Sequence, residues 1–474
     1  MGVRGIWEVL KDFADSSTSL SALALRYASV NQSANSPSTV QRGLRLGIDA
    51  RNAPLRTIFY RLGHLAALLI SPVFVFDGPH RPSEKRGRRI YRRDHRYTVG
   101  FKLLLEGFGF AIHEAPGEAE AELGLMSQLG IIDVVLSDDS DVFIFGARVV
   151  MRKYVYSLIS ILTTSHIGGG LCSSPLHDCT HPVPIWTSPE PSPTSSTPTS
   201  TSASSSPMFC TSTFILMGVL SGGDYHKGLE GCGHAIAYRL AQYGLGAQLV
   251  AAARSSSLRP GSTHSAQLQS WRDAVKTHLR SDPQGLLGRR YPSLADTFPD
   301  SVPNIAALQA YLNPITSSPS ALSQLQLSFF QHTPRFNLGK LATICSSKFS
   351  WESPCVLQKF KSFVWPGLVL RTIVDRAQGR KEHYPAVDVA TRPLFEYLHV
   401  HRKVDNIIYC DVQFWPSRFA TVVIEAVVSA EDEELSSDDD IGVNSAVILQ
   451  LPAAITAQLH PSGKPCSVVL ANQN

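Results

Sequence analysis

Residues 111–145, AIHEAPGEAEAELGLMSQLGIIDVVLSDDSDVFIF, predict a strand, a helix with an acidic first turn, and a second strand. The second strand is expected to end in Asp138, Asp139 and Asp141. In an α/β sheet, ligands bind outside the carboxyl ends of the strands, so these acids are expected to share one site. Like charges about 4 Å apart repel by roughly 4 kcal/mol at an effective dielectric near 20. The cluster therefore needs a counterion, and oxygen-only ligands suit Mg²⁺ or Mn²⁺.

Two earlier apolar runs are also closed by an acid. The run LRLGIDA contains Asp49 and the run SPVFVFDGP contains Asp77, and helical sequence follows each of them. A single Asp after a strand is usually a turn former or a helix cap. Four acidic positions alternate with helices, at Asp49, at Asp77, near Glu118 and at Asp139/Asp141. They instead predict an α/β fold, with a mostly parallel central sheet, helices on both faces and a shared acidic crevice. The working hypothesis is a metal-dependent phosphoryl-transfer site.

The segment between the second and third strands, HRPSEKRGRRIYRRDHRYTVGFK, is strongly basic. Its positive residues are Arg81, Lys85, Arg86, Arg88, Arg89, Arg92, Arg93, Arg96 and Lys102. A charge run is most often a solvated face or a nuclear-import signal. Because this run follows an acidic strand end and contains Tyr91 and Tyr97, we favour contact with nucleic acid. A nuclear location is compatible with that contact and is our expectation.

Chain length, net charge and cysteine content disfavour several classes of protein. The 474 residues suffice for two to four domains, and the net charge of +4 makes the chain only mildly basic. Eight cysteines without a CxxC pair favour a reducing compartment over a disulfide framework. The set Cys172, His177, Cys179 and His181 lacks zinc-ligand spacing, which disfavours a zinc site. No signal peptide and no apolar run of membrane-spanning length is evident, so we expect a soluble intracellular protein without a membrane partner.

The rest of the chain divides by composition. Residues 155–212 are rich in Ser, Thr and Pro and are expected to be a disordered insert after a first domain over 1–154. From Phe214 an apolar helix leads to Asp224, and Gly228, Gly231 and Gly233 precede a second helix. Such a glycine-rich turn exposes N–H groups to a phosphate, although a plain helical packing unit is the alternative. This region is expected to extend to 330, followed by a C-terminal module over 331–430, β-rich from Val404 to Val428, and an acidic segment and tail over 431–474.

Five motifs together resemble the flap endonuclease/XPG family of structure-specific nucleases. They are MGVRGIW, VFVFDGP, EAPGEAEAE, LSDDSDVFIFG, and LSGGDY followed by GLEGCG, and they cover roughly residues 1–154 and 213–245. Within the family, SGGDYHKGLEGCG and the downstream WPGL segment look most similar to fungal Holliday junction resolvases of the Gen/Yen type. The resemblance implies a PIN-like nuclease core completed by a helix–two-turn–helix region that grips duplex DNA.

The resemblance also implies site residues. Seven carboxylates would position two Mg²⁺ ions, for which Mn²⁺ can substitute: Asp49, Asp77, Glu118, Glu120, Asp139, Asp141 and Asp224. A basic helix after the second strand would present Lys and Arg to the scissile phosphate, with Lys85 and Arg92 as the catalytic candidates. Further DNA contacts would come from Gly2, Arg86, Arg88, Arg89, Arg93, Gly231 and Gly233. Glu122 and Asp138 are expected to be structural, since alternation along an extended segment turns Asp138 away from its neighbours.

Two departures from the family pattern stand out. The family continues after the first Asp through an apolar, Trp-containing helix, whereas here the much shorter run Ala50-Arg51-Asn52-Ala53-Pro54 follows. The second departure is the Ser/Thr/Pro-rich sequence between Tyr154 and Phe214, where the family has a strand and the lead-in to its last carboxylate. Either change could weaken the packing of the site.

Three functions are compatible with these motifs. The leading one is an Mg²⁺-dependent endonuclease that cuts Holliday junctions and 5′ flaps, acting as a homodimer on a junction. The second is a monomeric flap or repair endonuclease. The third is a non-catalytic DNA-binding scaffold, which the full set of seven acidic positions disfavours because a degenerate relative would be expected to lose some of them.

Overall fold

A computed structural model describes most of the chain. The described residues are 2–3, 5–11, 16–18, 20–30, 43–85, 88–89, 96–152, 183–187, 210–255, 266–330, 335–377, 395–404, 407–431 and 446–452. The first elements are α1 (Ile6–Leu10), β1 (Ser16–Thr18), α2 (Leu20–Val30), β2 (Leu44–Asp49), α3 (Leu55–Ala66), β3 (Ile70–Phe76), β4 (Glu84–Lys85), β5 (Arg88–Arg89), α4 (Thr98–Phe108) and β6 (Ala111–Glu114). They are followed by α5 (Ala119–Gln128), β7 (Val134–Leu136), α6 (Asp141–Ile144), β8 (Val149–Met151) and β9 (Val183–Thr187).

The later part of the chain is mostly helical. Its helices are α7 (Thr211–Ser221), α8 (His234–Gln242), α9 (Leu245–Ser255), α10 (Ala266–Ser281), α11 (Pro292–Asp296), α12 (Ile305–Leu312), α13 (Pro319–Phe330), α14 (Leu338–Phe349), α15 (Ser353–Phe363) and α16 (Trp365–Ala377). The last elements are β10 (Phe395–Val404), β11 (Ile407–Phe414), α17 (Ser417–Glu431) and β12 (Val447–Pro452). Within the described part of the chain, no helix has the length and apolar character needed to cross a membrane.

A seven-stranded sheet with the order β1-β9-β8-β7-β2-β3-β6 organises the fold. The five strands from β8 to β6 are parallel, and β9 and β1 extend one edge in antiparallel pairing. In the central strand β2, Ile48 pairs with Phe74 on one side and with Leu136 on the other. The parallel register therefore brings the ends of β2, β3 and β7 to the same edge. The predicted α/β class with a mostly parallel sheet is confirmed.

Each face of the sheet has its own hydrophobic core. Alternate residues of a strand point to opposite faces. Phe74 and Phe76 of β3 accordingly join the core built with α3, α4 and α14–α16, whereas Val73 and Val75 join the core built with α1, α5 and the helices α7–α12. The first core continues through Phe414 into the three-stranded antiparallel sheet β10-β11-β12. The C-terminal elements are therefore packed on the sheet that carries the acidic strand ends.

The structure corrects several boundaries. Within the expected insert at 155–212, residues Val183–Thr187 form β9, which pairs with β8 and β1, and α7 begins at Thr211. The expected β-rich segment holds β11 but continues as the helix α17, and β12 lies in the segment expected to be a tail. The zinc-like set over 172–181 lies outside the described residues. The expected basic helix is also wrong at its start, because β4 and β5 pair as a short antiparallel hairpin.

Candidate active site

Acidic side chains collect at the carboxyl edge of the parallel strands. Asp49 is the last residue of β2, Asp77 directly follows β3, and Asp139 follows β7 by three residues. The sequence expectation of an extended segment through Asp141 is wrong, because β7 ends at Leu136 and Asp141 begins the short helix α6. The two aspartates are nevertheless linked, since the backbone N–H of Asp141 donates to Asp139 Oδ1 at 3.1 Å.

Glu118 and Glu120 reach the same edge at the start of α5. Glu118 is the N-cap residue with extended backbone angles, and Glu120 lies in the first turn. The side chain that caps this helix comes from another strand end, because the backbone N–H of Ala119 donates to Asp77 Oδ1 at 2.9 Å. A carboxylate at a helix N-terminus is favoured by the free N–H groups and the helix dipole. This hydrogen bond ties the end of β3 to the start of α5.

Lys85 links these acids to Asp224 beyond α7. Its Nζ atom contacts Glu118 Oε1 and lies 3.2 Å from Asp224 Oδ2. The hydroxyl of Tyr225 donates to the other oxygen of Glu118, so both oxygens of that carboxylate have a partner. The segment that carries Asp224 turns sharply at Gly222, whose φ of 92° lies in a region that L side chains rarely adopt. The hairpin containing Lys85 and the end of α7 are therefore joined through carboxylates.

Arg51 is a cation of the site that the motif comparison missed. Its Nε atom lies 2.7 Å from Asp49 Oδ2, and its Nη2 atom lies 3.4 Å from Asp139 Oδ2. The hydroxyl of Ser137 also donates to Asp49 Oδ2, at 3.2 Å. The only signal in the sequence was its position two residues after the first acidic strand end. Tyr225, next to Asp224, was missed in the same way.

Burial and mutual repulsion raise the pKa values of Asp49 and Glu120 in the cluster. Burial raises the pKa of Asp49, and the charges of Asp77 and Asp139 add to this rise, against the opposing effect of Arg51. Burial together with the charge of Asp49 and its neighbours raises the pKa of Glu120 well above its ordinary value. These shifts are the expected response of carboxylates that share a poorly solvated space.

The pKa values of Asp141 and Lys85 are also shifted by the neighbouring acids. Burial and the charges of Asp139 and Asp224 raise the pKa of Asp141 well above its ordinary value. Burial alone would lower the pKa of Lys85, but the negative charges of Glu120, Glu118 and Asp224 raise it. Lys85 is therefore a firmly protonated cation. The structure thus brings all seven acidic positions singled out in the sequence into one electrostatically connected cluster around Lys85 and Arg51.

The donor chemistry of this cluster fits Mg²⁺ or Mn²⁺. All seven acids offer hard oxygen ligands, which these ions prefer. The Oε2 atom of Glu120 is buried and has no hydrogen-bond partner among the described residues. Within the same residues, no three His, Cys, Asp or Glu side chains are arranged as a ready metal-binding group. Lys85 and Arg51 instead bridge carboxylates in pairs, so the acids lie together but their oxygens are shared with protein cations.

The amino end of the chain lies against the same acids. Gly2 has a φ of 79°, and a Cβ atom built on it would overlap Asp139 Oδ1, Ser140 Oγ and Asp141 Oδ1. Gly2 therefore packs directly on two candidate ligands. Its contact with DNA stays a prediction.

The structure describes only some of the other residues that were predicted to contact DNA. Arg86, Arg92 and Arg93 lie outside the described residues, and only the strand backbone of Arg88 and Arg89 is described. Gly231 has a φ of 80°, and Gly233 is the N-cap residue of α8. Among the described residues, nothing lies within 4 Å of a Cβ atom built on Gly233, so a side chain at this position would have open space around it. The roles of these residues in DNA binding and catalysis stay predictions.

Two acids lie apart from the cluster. The carboxylate of Asp138 is 3.8 Å from Arg152 Nε, and its carbonyl accepts from Trp7 Nε1. Glu122 is completely buried. Its Oε1 atom lies 2.7 Å from His113 Nε2, and its Oε2 atom accepts from the backbone N–H of Ser317 at 2.9 Å. Both sets of contacts support the structural roles expected for them.

Part of the chain is similar in sequence to known nucleases. The XPG I-region family model matches residues 109–166, which include four of the seven acids. Flap endonuclease GEN homolog 1 of Mus musculus is 30% identical over 118 residues, or 21% of this chain and 13% of the relative. The probable flap endonuclease 1 homolog of Danio rerio is 33% identical over 113 residues, or 21% of this chain and 32% of the relative. The matched region thus spans well under two thirds of these relatives.

Solved structures share the fold over nearly the whole chain. The Holliday junction-resolving enzyme GEN1 in complex with product DNA and Mg²⁺ has a TM-score of 0.64 at 23% identity, covering 97% of this chain and 98% of that one. The eukaryotic junction-resolving enzyme GEN-1 binding with cesium has a TM-score of 0.66 at 23% identity, with 98% of both chains covered. At this identity the likeness shows the fold. The I-region match and the flap endonuclease relatives show that residues 109–166 are similar to the I-region of XPG-type nucleases.

Proposed function

We propose that this protein is a divalent-metal-dependent, structure-specific endonuclease that hydrolyses phosphodiesters in branched DNA. The observation that carries the proposal is the convergence of seven carboxylates, from the ends of three strands, the starts of α5 and α6 and the segment after α7, around Lys85 and Arg51. A cluster of this charge is costly for the fold by itself, as the raised pKa values of Asp49, Glu120 and Asp141 indicate. That cost is typical of a site selected for chemistry.

The seven acids are the residues that would hold the metal ions. We propose two Mg²⁺ ions, with Mn²⁺ as a substitute, bound by Asp49, Asp77, Glu118, Glu120, Asp139, Asp141 and Asp224. Bound ions would activate a water molecule and stabilise the leaving 3′-oxygen during in-line attack on a phosphodiester. In support, the GEN1 neighbour was solved with product DNA, Mg²⁺ and Mn²⁺.

Lys85 is proposed to bind the scissile phosphate. Its side chain is 24% exposed, and its ammonium group contacts Glu118 and lies 3.2 Å from Asp224 Oδ2. An ammonium group held over carboxylates keeps its proton and can donate to a phosphate oxygen of the substrate. Arg92 is proposed to assist from the neighbouring basic segment.

Recognition of the substrate would depend on DNA shape. Gly231 and Gly233 precede α8, and the free N–H groups at a helix start bind phosphates without reading bases. The basic segment over 80–102 and the amino end at Gly2 would contact the same duplex. Binding through phosphates releases counterions, so it should weaken steeply with salt. This mode of binding suits junctions and flaps, which differ from ordinary duplex in geometry.

We favour the four-way junction as the substrate, with 5′ flaps as a second one, cut by a homodimer that forms on the junction in the nucleus. The solved structures that share the fold over nearly the full chain are named as junction-resolving enzymes, which supports this choice. The curated relatives are named flap endonucleases, which supports a monomeric flap or repair endonuclease as the second candidate.

A cleavage assay on purified protein separates these functions. Labelled four-way junctions and 5′ flaps are each incubated with and without Mg²⁺, beside an Asp139→Asn variant. Paired, ligatable nicks across an intact junction that require Mg²⁺ and Asp139 are the expected result. Cutting of flaps alone would support the second candidate. DNA binding without cleavage in any Mg²⁺ or Mn²⁺ condition would show a non-catalytic scaffold and overturn the proposal.

A further inference from the structure

The backbone at Arg51 is held firmly next to the site. The N–H of Ala50 donates to the carbonyl of Val75 in β3 at 2.9 Å, which extends the β2–β3 pairing by one residue. The N–H of Arg51 then donates to the carbonyl of Asp49 at 3.0 Å and closes a tight turn. These two hydrogen bonds fix the backbone of Arg51 beside the carboxyl ends of β2 and β3.

The guanidinium of Arg51 occupies one oxygen of each of two candidate ligands. It contacts Asp49 Oδ2 at 2.7 Å and Asp139 Oδ2 at 3.4 Å, and thereby bridges the ends of β2 and β7. These carboxylate side chains are only 10% and 4% exposed, so they have little water to solvate them. A guanidinium keeps its charge throughout the accessible pH range, so this pairing is present whenever the side chain is in place.

The ion pair between Arg51 and Asp49 is more exposed than a second ion pair of the same sheet. Arg45 at the other end of β2 pairs with Asp133 at 2.6 Å, and its side chain is only 6% exposed. The side chain of Arg51 is 30% exposed, so it can leave the acids for solvent without unfolding the core. One cation also faces more than two acids here, because Glu120 is near enough to interact with Arg51 and its Oε2 atom is buried without a partner among the described residues.

We propose that Arg51 is a built-in counterion that stabilises Asp49 and Asp139 in the metal-free protein and competes with the divalent cation for their oxygens. This inference rests on the metal site of the proposed function. Binding of the cation then requires the guanidinium to move toward solvent, where the phosphates of bound DNA offer it a new partner. The side chain would thus lower metal affinity in free protein and make the loaded site dependent on substrate.

Metal binding without substrate tests the inference. Mn²⁺ alone is titrated into the full chain, and free Mn²⁺ is followed by electron paramagnetic resonance. An Arg51→Gln variant is compared with the wild type and with Arg280→Gln. Arg280 makes an exposed ion pair with Asp296 at 2.7 Å, so the control removes the same charge from a surface carboxylate pair. We expect Arg51→Gln to bind Mn²⁺ about tenfold more tightly, as for removal of one partly solvated competing charge, and Arg280→Gln to match the wild type.

The outcomes separate the inference from the function on which it rests. Equal or weaker Mn²⁺ binding by Arg51→Gln, with clear binding by the wild type, overturns the inference and leaves the proposed function standing. Absence of Mn²⁺ binding in every variant, Arg51→Gln included, overturns the inference, and the cleavage assay then decides the proposed function independently. The melting temperature without metal is measured as well, and Arg51→Gln should melt lower than the wild type and gain more from Mn²⁺. If that variant does not fold, Arg51→Lys, which keeps the charge but loses the fork, should bind Mn²⁺ more tightly than the wild type, and weaker binding would contradict the competition.

Discussion

The backbone N–H of Val3 donates a hydrogen bond of 2.7 Å to Asp141 Oδ1, across 138 positions of sequence. The hydroxyl of Ser140 donates in return to the carbonyl of Val3 at 3.2 Å. Gly2 and Val3 thus pack directly against the acidic cluster. This contact explains why the space beside Asp139 and Asp141 admits only a glycine at position 2.

Replacement of Gly2 by Ala should therefore damage the site. A Cβ atom at this position overlaps both carboxylates, and the φ of 79° is itself strained for Ala. We expect Mg²⁺-dependent cleavage to fall by about tenfold or more, since small misplacements in a catalytic constellation are costly. Cleavage rate and melting temperature are the measurements. Gly339→Ala in α14 is the control, because its Cβ atom would make only ordinary contacts at 3.7 and 3.9 Å. Equal activity of the two variants would contradict the packing of Gly2 on the acids.

The adjacent aspartates at 138 and 139 allow a matched comparison. Asp139→Asn should reduce metal-dependent cleavage by about 10²-fold or more, because it removes a charge from the candidate metal site. Asp138→Asn should retain nearly full activity, since its carboxylate faces Arg152 at 3.8 Å and lies apart from the cluster. Single-turnover cleavage rates at saturating protein measure both. Loss of activity in Asp138→Asn alone would reverse the assignment of these two residues.

Gly233→Ala isolates the contact with DNA from the stability of the fold. Nothing in the described part of the chain lies within 4 Å of the added Cβ atom, and a φ of −72° is accessible to Ala. Loss of a glycine N-cap costs at most about 1 kcal/mol. If a phosphate approaches this helix start closely, Gly233→Ala should weaken binding of junction DNA by about tenfold regardless of sequence. Fluorescence anisotropy at two salt concentrations measures this effect. Unchanged affinity would exclude a close approach of DNA at this position.

Glu122→Ala should affect stability rather than chemistry. The substitution leaves the partly buried N–H of Ser317 and the buried ring of His113 without their acceptor, which costs about 3 kcal/mol. Urea unfolding measures this loss, and cleavage of junction DNA at low temperature should stay within a few-fold of the wild type. A loss of cleavage in protein that is still folded would place Glu122 in the catalytic machinery instead.

The contribution of Glu122 to the unfolding free energy should depend on pH. Burial alone would raise the pKa of Glu122, but the hydrogen bonds with His113 and Ser317 outweigh it, so its pKa is lowered from the ordinary value of 4.5. A lowered folded-state pKa contributes stability that is present above pH 4.5 and is lost as the pH falls through the folded value. The difference in unfolding free energy between wild type and Glu122→Gln should therefore shrink on acidification below that pH. A constant difference between pH 7 and pH 3 would contradict it.

Much of the fold could be predicted because its signals are local. Apolar runs closed by Asp49 and Asp77, with helical sequence between them, predicted a parallel sheet with one acidic edge, and that class of fold is confirmed. The acids were also predicted to share one space, because parallel strands end at the same edge. The structure places all seven in one connected cluster.

The errors fell where local pattern and tertiary pairing disagree. The segment around Lys85 is rich in Arg and was expected to be helical from its resemblance to the family, yet its described residues pair as the hairpin β4–β5. Val183–Thr187 lie in a stretch of low-complexity composition but form a strand, because the free edge of β8 provides the hydrogen-bonding partners. The helix α17 was expected to be part of a β-rich segment, since its β-branched residues also suit a strand.

By itself, the sequence determined the alternation of the central parallel strands with helices and the acidic residues that follow β2, β3 and β7, because hydrophobic periodicity and chain order are properties of neighbouring residues. Only the tertiary structure decided which charges neutralise one another. Arg51 reaches Asp139 across 88 positions, and Tyr225 reaches Glu118 across 107. Electrostatic energy depends on distance through space and on the water that is excluded between the groups, and neither is written in the spacing of residues along a chain.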